Sequence, residues 1–270
     1  MVRLRRFRGS LTFDLMRLLW EIPMTPDEIL ALPSMPPGNP SYPTGPYRFV
    51  SREYFVIIYE SDPEAIRRLV PEPLEPDGSG QVYYEWINMP DSSGFGSYVE
   101  SGVVIPCRFQ GEAVNYTAMM FLNDEPPISA GREIWGFPKR WGEPHLRVET
   151  DTLTGSLHYA GQLVALGTMG YKHENLIKDP AKRNEALKKT QVNLKLLPCV
   201  TGKPLVAQLV AYNLEDIDVK FHYGGPARLH LVPHVNAPVA DLPVRKIVGG
   251  RHYKADLTLP FGRVVHDYLA

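Results

Sequence analysis

Short runs of β-branched and aromatic residues, separated by Pro, Gly, Asn and Asp, recur along most of this chain. The clearest run is Tyr54 to Tyr59 (YFVIIY), whose composition is typical of a buried strand. Many short strands with few helices favour a β-sandwich or a β-barrel. The 26 prolines in 270 residues favour the same class, because Pro interrupts long helices. Further strands are predicted over residues 81–87, 98–109, 114–122, 145–150, 152–159, 162–170, 192–198, 204–213, 216–222, 227–232 and 256–259.

Two helices and one tight hairpin are also predicted. Asp62-Pro63 is typical of a helix N-terminus, with Asp as the N-cap and Pro in the first turn, and the helix continues through Leu69. Asp179-Pro180 repeats this signal and predicts a second helix over 179–189. Ala160-Gly161 predicts the turn of a hairpin between two strands. The chain has no internal repeat and no low-complexity linker after residue 47, which favours a single domain.

The first 46 residues carry two features outside the strand pattern. Residues 1–7 (MVRLRRF) are basic, as in a signal peptide, but charged residues interrupt the apolar stretch that follows. The apolar residues instead recur at helical spacing, which predicts a short amphipathic helix that ends at Pro23. Residues 33–46 contain six prolines and two glycines, so we expect this segment to run extended over the surface.

Charge and cysteine content exclude several classes of protein. The 29 basic and 30 acidic residues are mixed along the chain, so neither a nucleic-acid surface nor a polybasic membrane patch is predicted. No run of 18 apolar residues occurs, which predicts no membrane span. Cys107 and Cys199 are too few for a disulfide scaffold. They favour a reduced, cytoplasmic protein, although a single bridge between them stays open.

The sequence has no pattern typical of a metal or cofactor site. The eight histidines form no ligand motif, and His230 and His234 on one strand would lie about 13 Å apart, too far to share an ion. HExxH, CxxC and Walker patterns are absent from the sequence. The glycines of GREIWG lack the spacing of a dinucleotide-binding loop, and no G-x-S-x-G frame holds a nucleophilic serine. We therefore expect any chemistry to need no cofactor.

One lysine of the chain is surrounded in sequence by aromatic residues. Lys139 follows Trp135 and Phe137 and precedes Trp141, a setting that a solvated lysine rarely has. A lysine is a nucleophile only when neutral, and its pKa must fall from about 10.4 to about 7 for half of it to be neutral at pH 7. Burial lowers the pKa of an ammonium group, and a neighbouring cation such as Arg140 adds to the effect. The alternative is that Lys139 lays its stem across the aromatic rings and keeps its ammonium group in water.

Several long motifs, in the same order, resemble those of the acetoacetate decarboxylase family. The resemblance covers residues 24–270, and it implies that residues 1–23 are an N-terminal extension. It implies a mainly β, single-domain fold with a few short helices and an antiparallel β-barrel or double-sheet architecture. It also implies a large homo-oligomer and no cofactor. The motifs are GPYRFVSREYF (45–55), VPEPLEPD (70–77), FLNDEP (121–126), ISAGREIWGFPKRWGEP (128–144), DTLTGSLHY (151–159), TMGYKHE (168–174) and APVADLPVRKIV (237–248).

The resemblance implies roles for five charged residues. Lys139 matches the Schiff-base lysine of the family, and acetoacetate decarboxylase is itself the established example of a lysine activated by burial or by a neighbouring cation. Glu100 (in SYVESG) would orient the substrate or the iminium, and Arg52 (in SREYF) would pair with Glu100. Glu85 (in YYEW) would lie near the entrance of the pocket. Arg140 stands where the family usually has a second lysine, so positive charge is kept. The alternative for each residue is a structural ion pair or a solvated charge.

These features predict a β-keto acid decarboxylase in which Lys139 forms an iminium with acetoacetate, giving acetone and CO2. One alternative is a Schiff-base aldolase-dehydratase of the same superfamily, acting on pyruvate and an aldehyde; the presence of Arg52, Glu85 and Glu100 favours decarboxylation. A second alternative is a non-catalytic barrel that binds small acids, with Lys139 as the counter-ion. The expected partner is a small β-keto acid, with no nucleic acid and no membrane.

Overall fold

A computed structural model describes residues 23–177 and 184–270, and the chain divides into two compact units at Pro43. In the described part of the first unit, Pro26–Leu30 form helix α1, which begins at a capping box between Thr25 and Glu28. The Pro-rich segment 33–46 contains neither helix nor strand, as predicted. The predicted helix over residues 1–23 lies outside the described residues, apart from Pro23.

The second unit, Thr44–Ala270, is built almost entirely of β-strands. Its described helices are α2, which spans Pro63–Leu69, and α3, which spans Glu125–Ala130 and continues into a π-helical turn at Gly131–Trp135. Short 3-10 turns lie at Glu185–Leu187 and Val239–Asp241. The strands are β1 (Tyr47–Glu60), β2 (Glu75–Pro76), β3 (Gln81–Ser92), β4 (Gly96–Phe109), β5 (Glu112–Leu122), β6 (Lys139–Trp141), β7 (Glu143–Glu149), β8 (Thr152–Tyr159), β9 (Gln162–Gly170), β10 (Glu174–Asn175), β11 (Gln191–Pro198), β12 (Pro204–Tyr212), β13 (Glu215–Gly225), β14 (Ala227–Leu231), β15 (Lys246–Leu259) and β16 (Arg263–Asp267).

The strands form two sheets, which confirms the predicted mainly β, double-sheet class. The larger sheet has the order β10-β13-β15-β1-β3-β4-β5-β11-β12-β16, with β2 paired to β4 and β6 paired to β5. Its pairs are antiparallel except β5 with β6 and β5 with β11. The smaller sheet, β14-β9-β8-β7, is antiparallel throughout. Among the described strands the larger sheet runs from β10 to β16 without closing into a barrel.

Most predicted elements are confirmed, with errors at positions where local composition misleads. Ala160 and Gly161 both have positive φ and close the β8–β9 hairpin, as the sequence predicts. The prediction for β15 was too short, because Lys246–Leu259 is rich in charged residues and Gly yet is held between β1 and β13. The predicted helix over 179–189 lies partly outside the described residues, and its described part contains only the turn at Glu185–Leu187.

Alternation along the strands of the larger sheet separates a hydrophobic core from a cavity. Phe55, Ile57 and Trp86 are fully buried in the core, which also contains Leu153 and Leu157 of the smaller sheet. Side chains one residue out of phase point to the opposite face, because successive side chains of a strand alternate. This second face lines the cavity described below, so one strand serves both purposes.

Two further observations concern the cysteines and the helices. Cys107 is buried in β4, Cys199 follows β11, and both thiols are free. No helix of the described part is long and apolar enough to cross a membrane.

Candidate active site

A cavity of about 310 Å³ lies on the face of the larger sheet opposite the core. From Arg52 to Ile58, strand β1 contributes every second residue to its wall. Strands β3 and β4 contribute Glu85 and Glu100 in the same way. Lys139, at the start of β6, also lines this cavity. The structure therefore brings four of the five charged residues predicted from the sequence into one pocket.

The chain before Lys139 is shaped by two glycines of the GREIWGFPK segment. Gly136 has a φ of +74°, and a Cβ at this position would lie 2.5 Å from the Cα of Lys195. The N–H groups of Gly136 and Phe137 both donate to the carbonyl of Gly131, which ends the π-helical turn. A Cβ at Gly131 would lie 2.6 Å from Cδ of Lys139. Only glycine at 131 leaves the lysine stem its present path into the cavity.

Lys139 and Glu100 form a buried ion pair on the wall of this cavity. The Lys139 Nζ lies 2.6 Å from Oε1 of Glu100, and the two side chains are 7% and 3% exposed. Nη2 of Arg52 lies 3.9 Å from Oε2 of the same carboxylate. Glu100 therefore stands between two cations, Lys139 and Arg52.

Burial is the main cause of the perturbed titration of these groups. It lowers the pKa of Lys139; the nearby Glu100 carboxylate opposes this shift, and the Arg52 guanidinium adds to it. Burial also raises the pKa of Glu85 to about 7, although Arg52 acts in the opposite direction. At neutral pH this site thus holds a lysine with an increased neutral fraction and a carboxyl group close to half protonation.

Arg140 and Trp141 adjoin Lys139 in sequence but do not line the pocket. The Arg140 guanidinium is exposed. It donates hydrogen bonds to the carbonyl of Asn236 at 2.6 Å and to the Tyr159 hydroxyl at 2.9 Å. Trp141 is 57% exposed. Because β6 is a strand, Arg140 points away from the side on which Lys139 lies. Burial, and not the adjacent arginine, is thus the main cause of the lowered pKa of Lys139.

Aromatic residues surround the charged groups, and two of them, Tyr54 and Tyr98, were not predicted from the sequence. Tyr98 and Phe137 place their ring centroids 5.8 and 5.1 Å from Nζ of Lys139. The Arg52 guanidinium carbon lies 4.8 Å from the ring centroid of Tyr54. Phe137 stood beside Lys139 in sequence, whereas Tyr54 and Tyr98 are each two residues from a predicted charge. The period-2 alternation of a strand was the signal that could have identified both tyrosines.

No group of three or more His, Cys, Asp or Glu side chains within residues 23–177 and 184–270 is arranged to hold a metal ion. Around Lys139 the cavity offers an amine, two carboxyl groups and a guanidinium within an aromatic wall. Such a set can form and stabilise a covalent adduct with a carbonyl compound.

The family model described as "Acetoacetate decarboxylase (ADC)" matches residues 31–269. The chain belongs to the acetoacetate decarboxylase family. An acetoacetate decarboxylase of Bordetella avium (strain 197N) is 54% identical over 237 residues, which cover 88% of this chain and 95% of the relative. The family motifs identified in the sequence therefore reflect membership across nearly the whole chain.

Solved structures of acetoacetate decarboxylase share this fold. The crystal structure of the enzyme from Legionella pneumophila has a TM-score of 0.85 at 46% identity, covering 93% of this chain and 98% of that chain. A second acetoacetate decarboxylase structure has a TM-score of 0.88 at 42% identity, covering 92% of this chain and 100% of that chain. The double-sheet architecture found here is thus that of the family.

Proposed function

We propose that this protein decarboxylates acetoacetate, or a closely related β-keto acid, through a Schiff base at Lys139. The observation that carries the proposal is the buried Lys139–Glu100 pair, with its 2.6 Å contact, in a cavity whose burial lowers the lysine pKa. Membership of the acetoacetate decarboxylase family supports the choice of substrate. The products are acetone and CO2.

The reaction needs a neutral amine and then an electron-accepting iminium. Neutral Lys139 attacks the keto carbon, and water leaves as the iminium forms. The bond between the carboxylate carbon and C2 then breaks, CO2 departs, and its electron pair moves to the iminium nitrogen as an enamine. A proton adds to C2, and water hydrolyses the resulting imine to release acetone and regenerate the amine. The iminium itself is the electron acceptor in this sequence.

The neighbouring charges have distinct proposed roles. Glu100 orients the substrate and stabilises the cationic iminium at the lysine nitrogen. Arg52 holds the second oxygen of Glu100 and favours the neutral form of Lys139. Glu85, whose pKa burial raises to about 7, can exchange a proton at neutral pH. Because Arg140 is directed away from the cavity, we assign it no contact with the substrate.

One experiment separates decarboxylation from the two other functions considered. The protein is incubated with acetoacetate, CO2 release is measured, and a parallel sample is reduced with borohydride and mapped by peptide mass spectrometry. We expect CO2 release and a reduced adduct on Lys139. An adduct without CO2 release would indicate Schiff-base chemistry of the aldolase-dehydratase kind. If neither CO2 release nor an adduct is detected, the remaining candidate is a non-catalytic protein that binds small acids.

We further propose that the protein acts in the cytoplasm as a homo-oligomer. The two free thiols favour a reducing compartment. Exposed apolar side chains on neighbouring strands, Leu196, Leu205 and Val264, are suited to contact with another copy. Light scattering on the purified protein measures the subunit number, and a monomeric mass would contradict the oligomer.

A further inference from the structure

The cavity extends well beyond the space that acetoacetate needs around Lys139. Acetoacetate is a four-carbon acid, whereas a volume of about 310 Å³ falls within the range of sites for much larger ligands. Beyond Tyr54 the wall continues along β1 through Val56 and across to β13 and β15. The cavity can thus hold an acyl chain attached to the reacting ketone.

Arg251 lines this distant part of the cavity and has no acidic partner among the described residues. It lies on β15 as the cross-strand neighbour of Val56, on the same face as Tyr253. Its Nη1 donates to the carbonyl of Gly250 at 3.0 Å. None of the ion pairs among the described residues includes Arg251. A half-buried guanidinium with remaining N–H donors is suited to bind a carboxylate.

The other cations of the cavity already have acidic neighbours. Glu100 lies beside both Lys139 and Arg52, and the charge of Asp77 acts on Lys189. Within the described part of the chain, Arg251 is therefore the lining cation left to meet a charge brought by a ligand.

His222 supplies a second polar group next to Arg251. It is the cross-strand neighbour of Tyr253, and its Nε2 is buried without a hydrogen-bond partner among the described residues. Burial, assisted by the Arg251 charge, lowers the pKa of His222 to about 4, so the imidazole is neutral at neutral pH. A neutral imidazole can donate one hydrogen bond to an oxygen of a bound carboxylate.

The interval along β1 and β15 between the reacting site and Arg251 is long and mainly apolar, with Glu85 of β3 beside Val56. Arg52 pairs with Ala255 of β15, and Arg251 lies four residues further along that strand, which corresponds to about 13 Å. Tyr54, Val56 and Tyr253 line the interval, so methylene groups are suited to it.

We propose that Arg251 and His222 form a second anion subsite, which receives the terminal carboxylate of a medium-chain 3-oxo dicarboxylic acid whose ketone reacts at Lys139. This inference rests on the proposed Schiff-base function. The step is the same decarboxylation: the bond from C2 to the C1 carboxylate breaks, CO2 leaves and a proton adds to C2. The product is a methyl ketone that keeps its distal carboxylate.

The test compares two substrates of equal chain length, 3-oxodecanedioate and 3-oxodecanoate, by their kcat/KM. An apolar cavity without a free cation would favour the methyl end, because burying an unpaired carboxylate is costly. With the subsite, we expect the wild-type protein to prefer the diacid by roughly tenfold or more, as a hydrogen-bonded charge pair supplies. No preference, or a preference for the monoacid, would overturn the subsite.

Variants then assign the preference to Arg251. Arg251→Met should reduce the diacid preference to about one or below, and Arg251→Lys should keep part of it. Arg228→Met is the matched control, because Arg228 makes the same contact to its preceding carbonyl on β14 but does not line the cavity. A preference unchanged in Arg251→Met would overturn the assignment, as would its equal loss in the control.

Folding and the basic reaction are monitored separately. Circular dichroism measures whether each variant keeps the wild-type fold. If Arg251→Met does not fold, Arg251→Lys takes its place in the comparison of the two substrates. Wild-type turnover of acetoacetate and adduct formation on Lys139 test the proposed function without reference to Arg251. Acetoacetate turnover without a diacid preference would contradict only the second subsite.

Discussion

The Nζ of Lys139 lies 2.6 Å from Oε1 of Glu100, and both side chains are almost entirely buried. The carboxylate stabilises the ammonium form of the lysine, whereas burial destabilises it, and burial has the larger effect. The same carboxylate lies where the cationic iminium would form. This one contact therefore affects both the nucleophile and the intermediate, and it motivates the predictions below.

Replacing Lys139 with Ala should abolish decarboxylation of acetoacetate and the borohydride-stable adduct, because no Schiff base can form without the amine. Lys220→Ala is the matched control, since Lys220 is an exposed lysine that pairs with Asp218 and Asp256. Both variants should keep the wild-type circular dichroism spectrum. More than trace turnover in a folded Lys139→Ala protein would contradict the Schiff-base assignment.

Replacing Glu100 with Gln should separate the two effects of the carboxylate. Loss of the negative charge removes an interaction that raises the lysine pKa, so the acidic limb of the pH–rate profile should move to lower pH. The maximal kcat should nevertheless fall by roughly 10² or more, because the iminium loses its counter-charge. Profiles of kcat from about pH 4 to about pH 9 measure both quantities. Movement of the limb to higher pH would contradict the role of Glu100.

Arg52 and Arg140 should differ in their influence on the lysine. The Arg52 charge lowers the Lys139 pKa, so Arg52→Gln should move the acidic limb to higher pH, with activity lost first at the acidic end. Arg140→Ala should leave the limb in place, because this guanidinium is bound to Asn236 and Tyr159 outside the cavity. The same pH profiles of kcat, measured for both variants, distinguish the two effects. A limb that moves only in the Arg140 variant would show that the adjacent cation tunes the amine.

Replacing Gly131 with Ala should misplace the catalytic amine without removing a charge. The new Cβ would lie 2.6 Å from Cδ and 2.9 Å from Cε of Lys139, so the lysine stem must shift. Displacement of a reacting group by about 1 Å can cost about 10² in rate, and we expect kcat to fall by this order. Gly38→Ala is the control, because nothing lies within 4 Å of a Cβ there. Wild-type kcat in a folded Gly131→Ala protein would contradict the positioning role.

The sequence by itself determined the local elements and, through the aromatic neighbours of Lys139, indicated a candidate nucleophile. Asp62-Pro63 begins α2, Ala160-Gly161 closes the β8–β9 hairpin, and the apolar run from Tyr54 to Tyr59 is buried except for the half-buried Ile58. Each depends on backbone preferences or alternation within a few residues, so the amino-acid types suffice. The roles of Arg52, Glu85 and Glu100 came from family resemblance, because charged residues on separate strands carry no local signal.

Only the tertiary structure decided which charges meet and which do not. Arg52 and Glu100 lie on β1 and β4, and they approach each other because the register of the intervening strand β3 brings them to one face. Arg140 adjoins Lys139 in sequence, yet the alternation of β6 directs it to the opposite side. Strand β15 has many polar residues, yet its pairing with β1 brings Arg251 to the cavity. Long-range pairing and register set these contacts, and they depend on packing of the whole sheet and not on the residues of one segment.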